Sequence, residues 1–165
     1  MTSHRFDVFL GLGANIGDRG LHLQLAREAI ESSIGRIILA SAVYLTAPWG
    51  LSEQPPFYNQ VIHIKTEIEP ETLLFRIQEI EKKMGRERIV KWDKRIIDID
   101  ILFYDRLVYH SERLQIPHPW LERRNFVLVP LAEIAPEWVH PVLLKPIREL
   151  LEISTDTLEV KPLEL

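Results

Sequence analysis

Asp98 and Asp100 sit in the run Arg95-Ile96-Ile97-Asp98-Ile99-Asp100-Ile101-Leu102-Phe103. A strand's period of two sends both carboxylates out of one face. About 6 to 7 Å apart, at an effective dielectric near 20, they repel by about 2 to 3 kcal/mol, so a strand that keeps both is suited to a cation between them. Magnesium is the first candidate, because it takes hard carboxylate oxygens. The alternate residues Ile97, Ile99, Ile101 and Phe103 are apolar and are expected to share the opposite face, anchoring the strand in a core. Upstream, the segment from Gly85 to Arg95 reads as a loop holding Arg86, Arg88, Lys91, Lys94 and Arg95 against Glu87 and Asp93, with Trp92 among them. Arginines clamp phosphate oxygens bidentately while a metal neutralises the rest, which is what a polyphosphate nucleotide requires. Each feature alone also reads as a solvated basic turn or a satisfied pair of strand acids; their adjacency points to a site.

The elements that must position these groups can be read from periodicity. Phe6, Val8, Leu10 and Leu12 alternate as a first strand, and Asp18 can cap a helix whose Leu25, Ala26, Ala29, Ile30 and Ile34 form one stripe before Gly35. Ile37 to Thr46 reads as one long strand, and Phe57 to about Thr66 as another. Pro70 suits a first helical turn, with Leu73, Leu74, Ile77, Ile80 and Met84 as a stripe that stops at Gly85. After the acidic strand, Arg106 to Tyr109 reads as a short paired strand, Trp120 to Asn125 as a brief helical turn, and Pro146 to Ile153 as a helix. The order strand, helix, strand, strand, helix, strand predicts an α+β fold, a ferredoxin-like sandwich with a mainly antiparallel sheet and helices on its faces.

A chain of 165 residues with 46% hydrophobic content suits a single domain, taken as 1–165 with the tail from about 154 unassigned. With no cysteine, disulfides and thiolate metal sites are excluded, which fits a cytoplasmic setting. The N-terminus is too polar for a signal peptide, and no apolar run approaches the roughly 18 residues that span a bilayer. A net charge of −4 argues against a general nucleic-acid binder.

Gly11, Gly13 and Gly17 follow a strand and precede a helix, but the third glycine falls one place late for a dinucleotide fingerprint, so a tight structural turn braced by Asn15 is expected. Phe57 and Asn59 share a strand face, where a ring can stack on a flat heterocycle and an amide can read its edge; alone, each also reads as core or strand-end polarity. Gln78 and Glu81 share one flank of the second helix, and His118 stands stiffly between Pro117 and Pro119.

Taken together these motifs resemble the 6-hydroxymethyl-7,8-dihydropterin pyrophosphokinase family of folate biosynthesis. The likeness runs from Phe9-Leu10-Gly11-Leu12-Gly13-Ala14-Asn15-Ile16-Gly17-Asp18-Arg19 through Tyr44 to Gly50, Phe57-Tyr58-Asn59, the basic loop, Asp98-Ile99-Asp100, Ile116-Pro117-His118-Pro119 and Phe126 to Pro136. It implies the same fold and transfer of pyrophosphate from ATP to the pterin hydroxymethyl, releasing AMP. It further implies that Asp98 and Asp100 bind two magnesium ions and act in catalysis with Arg86 and Arg95. Gln78, Glu81, Arg88, Trp92, Ile101, Arg113, His118 and Arg124 are implied to contact the nucleotide. Thr46, Ala47, Pro48, Trp49, Phe57, Asn59 and Phe126 are implied to hold the pterin. Phe57 stands where many members have Tyr, and Glu122 and Arg123 depart from the common pattern. A monomer with small-molecule substrates and no nucleic-acid or membrane partner is the corresponding expectation. Two other classes share some of these features: a different magnesium-dependent phosphotransferase, and a ferredoxin-like nucleic-acid-binding module, whose aromatic and basic sheet pattern is missing here.

Overall fold

The computed structural model of the protein describes residues 4–46, 55–87 and 96–163, with Arg86 and Glu87 described by backbone alone. Ala47, Pro48, Trp49, Arg88, Lys91, Trp92 and Arg95 lie outside the described residues, as does the side chain of Arg86.

The chain order is β1 (Phe6–Ala14), α1 (Arg19–Ser33), β2 (Arg36–Ala40), β3 (Tyr44–Thr46), β4 (Phe57–Thr66), α2 (Pro70–Glu87) and β5 (Asp98–Tyr104). There follow β6 (Tyr109–His110), β7 (Gln115–Ile116), a 3-10 turn over Leu121–Arg123, α3 (Asn125–Ile134), α4 (Ile147–Ile153) and β8 (Val160–Pro162). The main sheet is six-stranded in the order β5-β1-β4-β3-β8, with β2 beside β3 on the same edge of β4, and its pairings are antiparallel. This is the ferredoxin-like α+β arrangement, the strand that carries the acids lying at one edge.

Two cores flank the sheet. On one face Val8, Leu10, Leu12, Ile62, Ile64, Ile99 and Ile101 pack against Leu23, Ala26 and Ile30 of α1 and Leu73, Ile77 and Ile80 of α2. On the other, Phe9, Val61, Leu102 and Phe103 pack against Val127, Leu128 and Leu131 of α3 and Ile147 and Leu150 of α4. Phe103 therefore does not share a face with Ile97, Ile99 and Ile101. The register slips between Phe9 and Leu10, which pair with Phe103 and Ile101, so Leu102 is an extra residue and the bulge turns Phe103 over.

Local differences from the expected elements have similar causes. Asp18 does cap α1, accepting from the Leu21 amide at 3.1 Å, but the buried stripe is His22, Leu23, Ala26 and Ile30. Leu25, about 100° round the helix from Ala26, is exposed. The expected strand from Ile37 to Thr46 is broken into β2 and β3 at Ser41. There the Ser41 hydroxyl accepts from the Val61 amide, Gln60 donates to the Ser41 carbonyl, and the Ala42 amide turns to the Glu133 carboxylate. α2 runs on through Gly85 to Glu87, and the short strand expected over Arg106 to Tyr109 forms instead at Tyr109–His110. Gly11 and Gly13 lie inside β1 and not in a turn; the left-handed turn residue is Gly17, with φ 64°. α3, an apolar helix carrying Pro130, had no amphipathic signal, and the tail ends in β8, which adds a strand beside β3.

Candidate functional site

Three neighbouring strands change character along the face that carries α3 and α4. β1 goes from Phe9 to Gly11 and Gly13, β4 from Val61 to Asn59 and Phe57, and β5 from Phe103 and Leu102 to Asp100 and Asp98. Where the side chains are large, the two helices are seated; where, apart from Phe57, they are small or polar, the sheet is uncovered. The result is a cleft of about 900 Å³, toward the upper end of the roughly 300 to 1,000 Å³ typical of ligand sites.

Register sets the geometry of its floor. Gly13 pairs with Asp98 on one side and Asn59 on the other, and Gly11 with Asp100 and Val61. The acids and the amide are thus two strand spacings apart, about 10 Å, and the strand between them presents only glycines on this face. A Cβ at Gly13 would approach Asn59 Nδ2 to 3.1 Å. At the amide end, Thr46, Phe57, Asn59 and Phe126 line the cleft, and among the described residues neither Thr46 Oγ1 nor Asn59 Oδ1, both buried, has a hydrogen-bond partner. Buried polar atoms are normally bonded, so an orphaned pair on residues that line a cleft is suited to a ligand with complementary groups.

At the acid end, Asp98, Asp100 and His118 line the cleft, and Arg124 lines it next to Phe126. The Asp100 side chain is 54% exposed, with its Oδ1 4.0 Å from His118 Nε2. His118 Nδ1 lies 2.7 Å from the Pro119 carbonyl, which can only accept, so Nδ1 carries a proton and Nε2 is the atom turned to the cleft. The main chain of His118 is itself tied to β5 by its amide, which donates to the Leu102 carbonyl at 3.0 Å. Arg124 adds a cation beside Phe126, its guanidinium 5.7 Å from the ring centroid. Among the described residues no cluster of three or more His, Cys, Asp or Glu forms a metal cage. Two carboxylates opposite a glycine cradle nevertheless suit magnesium, which keeps open positions for water and substrate phosphates.

The residues named from the sequence divide accordingly. Thr46, Phe57, Asn59, Asp98, Asp100, His118, Arg124 and Phe126 come together in the cleft. Gln78, Glu81, Ile101 and Arg113 do not line it. Gln78 is exposed on α2, Arg113 is exposed beside Glu71 and Ser111, and the Ile101 side chain is packed in the core, which leaves only its main chain for a ligand. Glu81 Oε2 accepts from the Ile99 amide at 3.0 Å, filling the outer edge of β5 between the two acids. Asn15, expected to brace a turn, lines the cleft, and so do Gly11 and Gly13. Their signal in the sequence was the G-x-G spacing within a strand, which puts both glycines on one face.

The family model described as 7,8-dihydro-6-hydroxymethylpterin-pyrophosphokinase matches residues 9–136. The chain belongs to this family. Among pyrophosphokinase relatives, it is 43% identical over 142 residues to the 2-amino-4-hydroxy-6-hydroxymethyldihydropteridine pyrophosphokinase of Aquifex aeolicus, covering 86% of this chain and 88% of the relative. Its identity to the enzyme of the same name from Methylorubrum extorquens is 46% over 133 residues, covering 80% and 84% of the two chains. A crystal structure of Plasmodium falciparum HPPK-DHPS has the same fold, with a TM-score of 0.76 at 20% identity. That match covers 91% of this chain and 45% of the Plasmodium chain, so this chain spans less than half of that longer protein. No helix among the described residues of this pyrophosphokinase is long and apolar enough to cross a membrane.

Proposed function

We propose that this chain transfers the terminal diphosphate of ATP to the hydroxymethyl group of 6-hydroxymethyl-7,8-dihydropterin, with the acceptor at the amide end of the cleft and the phosphates at the acid end. The observation that carries the reading is the orphaned pair Thr46 Oγ1 and Asn59 Oδ1 on residues that line the cleft, Asn59 two strands and Thr46 three strands away from Asp98 and Asp100. A pterin edge presents donors that such acceptors bond, and Phe57 and Phe126 offer rings for its faces. Ala47, Pro48 and Trp49 are proposed to complete that wall.

Asp98 and Asp100 would hold two magnesium ions, which when bound supply neutralisation of the triphosphate and of the charge that develops on it. The hydroxymethyl oxygen forms a bond to the β-phosphorus, the bond from that phosphorus to the bridging oxygen breaks, and AMP leaves with the bridging oxygen. The hydroxyl proton passes to solvent, since no side chain in the cleft stands out as a base. His118 Nε2 lies beside Asp100 and the Arg124 guanidinium belongs to a residue that lines the same cleft, and both are suited to phosphate oxygens. Arg86, Arg88 and Arg95 are proposed to clamp the phosphates with Trp92 beside them, and Gln78, Glu81, Ile101 and Arg113 to flank the nucleotide. Positioning and electrostatics supply most of the acceleration in such transfers. On the same reading the chain is one domain acting as a cytoplasmic monomer, without a nucleic-acid partner.

The test is to incubate the purified protein with ATP, magnesium and the pterin and to resolve the nucleotides. AMP and pterin diphosphate in equal amounts are expected, abolished by a chelator. ADP in place of AMP would make the chain a different phosphotransferase, and no turnover would remove the proposal.

A further inference from the structure

The segment 154–163 lies beyond the residues matched by the family, yet it touches both walls of the acceptor end. β8 pairs with β3 so that Val160 stands opposite Thr46, and the Leu163 amide donates to the Val43 carbonyl at 2.8 Å. Earlier in the segment, Asp156 meets the start of α3. Its Oδ2 accepts from the Asn125 amide at 2.8 Å, and its carbonyl accepts from the Asn125 side chain at 3.2 Å. The other carboxylate oxygen, Oδ1, accepts from the Leu158 amide at 3.0 Å, which fixes the turn leading into β8. Arg124, the residue before α3, makes no capping bond with its own side chain, so the Asp156 carboxylate stands where a cap would, at the positive end of the helix.

Asn125 is flanked by Arg124 and Phe126, both of which line the cleft. Anchoring Asn125 by its amide and its side chain therefore fixes the direction in which its two neighbours project. The same few residues hold Thr46 through β8.

We infer that the segment 154–163 is a strap that sets the acceptor end of the cleft, and that Asp156 is its positioning residue. The inference rests on the proposed placing of the pterin between Phe57 and Phe126. Asp156 touches no substrate. It acts through Asn125, and its two carboxylate oxygens serve two different amides, a division that an Asn side chain with a single oxygen cannot reproduce.

The experiment titrates 6-hydroxymethyl-7,8-dihydropterin into the full chain saturated with magnesium and a nonhydrolysable ATP analogue, and separately titrates the analogue. Asp156→Ala is expected to weaken pterin binding about tenfold and analogue binding clearly less, because the pterin loses the seating of both Phe126 and Thr46 whereas the analogue loses only that of Arg124. Asp156→Asn should fall between parent and Ala variant. Parental pterin affinity in folded Asp156→Ala overturns the inference, and so does an equal loss for both ligands, which is the mark of a general loosening. Should the Ala variant not fold, Asp156→Asn decides by the same comparison. A parent that binds the analogue but no pterin removes the proposed acceptor site itself, whereas a binding parent with an insensitive variant removes only the strap.

Discussion

Gly13→Ala separates what the cleft floor does for function from what it does for stability. Gly13 has ordinary strand backbone, so an alanine there meets no conformational barrier and recovers about 0.5 to 1 kcal/mol of unfolded-state entropy. Against this, the new Cβ lies 3.1 Å from Asn59 Nδ2, and the amide must yield by a few tenths of an ångström. Turning a side chain off its rotamer costs about 0.5 to 1.5 kcal/mol, so the two terms nearly cancel. Stability should stay within about 1 kcal/mol of the parent, or about 2 to 4 °C in Tm for a chain of this size.

Activity should not stay within that range. Asn59 is the amide proposed to read the pterin edge, and losing one well-made bond to a bound ligand costs about 1 to 3 kcal/mol, so kcat/KM for the pterin falls about 5- to 150-fold. The assay follows AMP release at varied pterin with ATP saturating, beside a thermal melt of the same sample. Gly11→Ala is the comparison. Its Cβ meets Leu102 Cδ2 at 3.5 Å, an ordinary contact, and it leaves Asn59 untouched, so its KM for the pterin should stay near the parent's. A folded Gly13→Ala protein with parental kcat/KM, or equal KM changes in both variants, would refute the assignment of the amide end to the acceptor.

Asp100→Asn keeps the size of a half-exposed side chain and removes its charge; kcat should drop by about 100-fold or more with little change in Tm, and parental turnover would end the metal role. At Gly35 a Cβ would lie 2.2 Å from the Lys65 carbonyl oxygen and 3.0 Å from Thr66 Cβ, both part of β4. Gly35→Ala should therefore cost about 3 kcal/mol or more, read as a Tm loss of about 6 to 12 °C, with ligand affinities at low temperature unchanged. His140 is buried, and its Nδ1 accepts from the Val142 and Leu143 amides, which only the neutral ring can do. Burial lowers its pKa from the usual 6.5 despite the opposing pull of Glu122. Below that value the unfolded chain takes up a proton that the folded ring resists, so stability falls as pH falls. Urea midpoints at about pH 7.5 and about pH 5.5 should differ more for the parent than for His140→Asn, whose side chain accepts without titrating.

What could be read from the chain follows from where the information lies. β4 was legible end to end because Phe57, Asn59 and Val61 alternate with Tyr58, Gln60 and Ile62, and a period of two needs no partner to be seen. The acidic strand was legible for the same reason, up to Leu102. There the alternation fails, because the bulge opposite Phe9 and Leu10 is a property of two strands, one of them some ninety residues away in sequence. The break at Ser41 is likewise held by Gln60, Val61 and Glu133, none of them local. α3 was hidden by its composition: it buries Val127, Leu128, Pro130 and Leu131, and its half-buried outer positions Val129 and Ala132 are apolar too, so hydropathy gives little period. Of the site, the chemistry was legible and the spacing was not. Acids, amide and rings could be named, but that a strand of glycines separates them depends on register, with Gly13 between Asp98 and Asn59.

That register also accounts for the residues expected at the nucleotide that do not line the cleft. β5 is an edge strand, so one side of it faces β1 and the glycines while the other faces outward, toward α2 and the hairpin of β6 and β7. Gln78 and Glu81 belong to α2, Arg113 to the hairpin turn, and Ile101 to β5 itself. An exposed strand edge leaves amides in need of partners. Glu81 supplies one at Ile99, between the two acids, and so fixes the strand where it carries both carboxylates. The acids then stand on a narrow partition, and in the function proposed above the acceptor is approached across the sheet and the nucleotide around its edge. A pyrophosphokinase needs the acceptor hydroxyl and the leaving AMP on opposite sides of the transferred β-phosphorus. In the proposed function, a carboxylate pair on an edge strand, with glycines on one side and a helix and hairpin on the other, meets that requirement through strand order, and the cationic side chains then hold the phosphates in line.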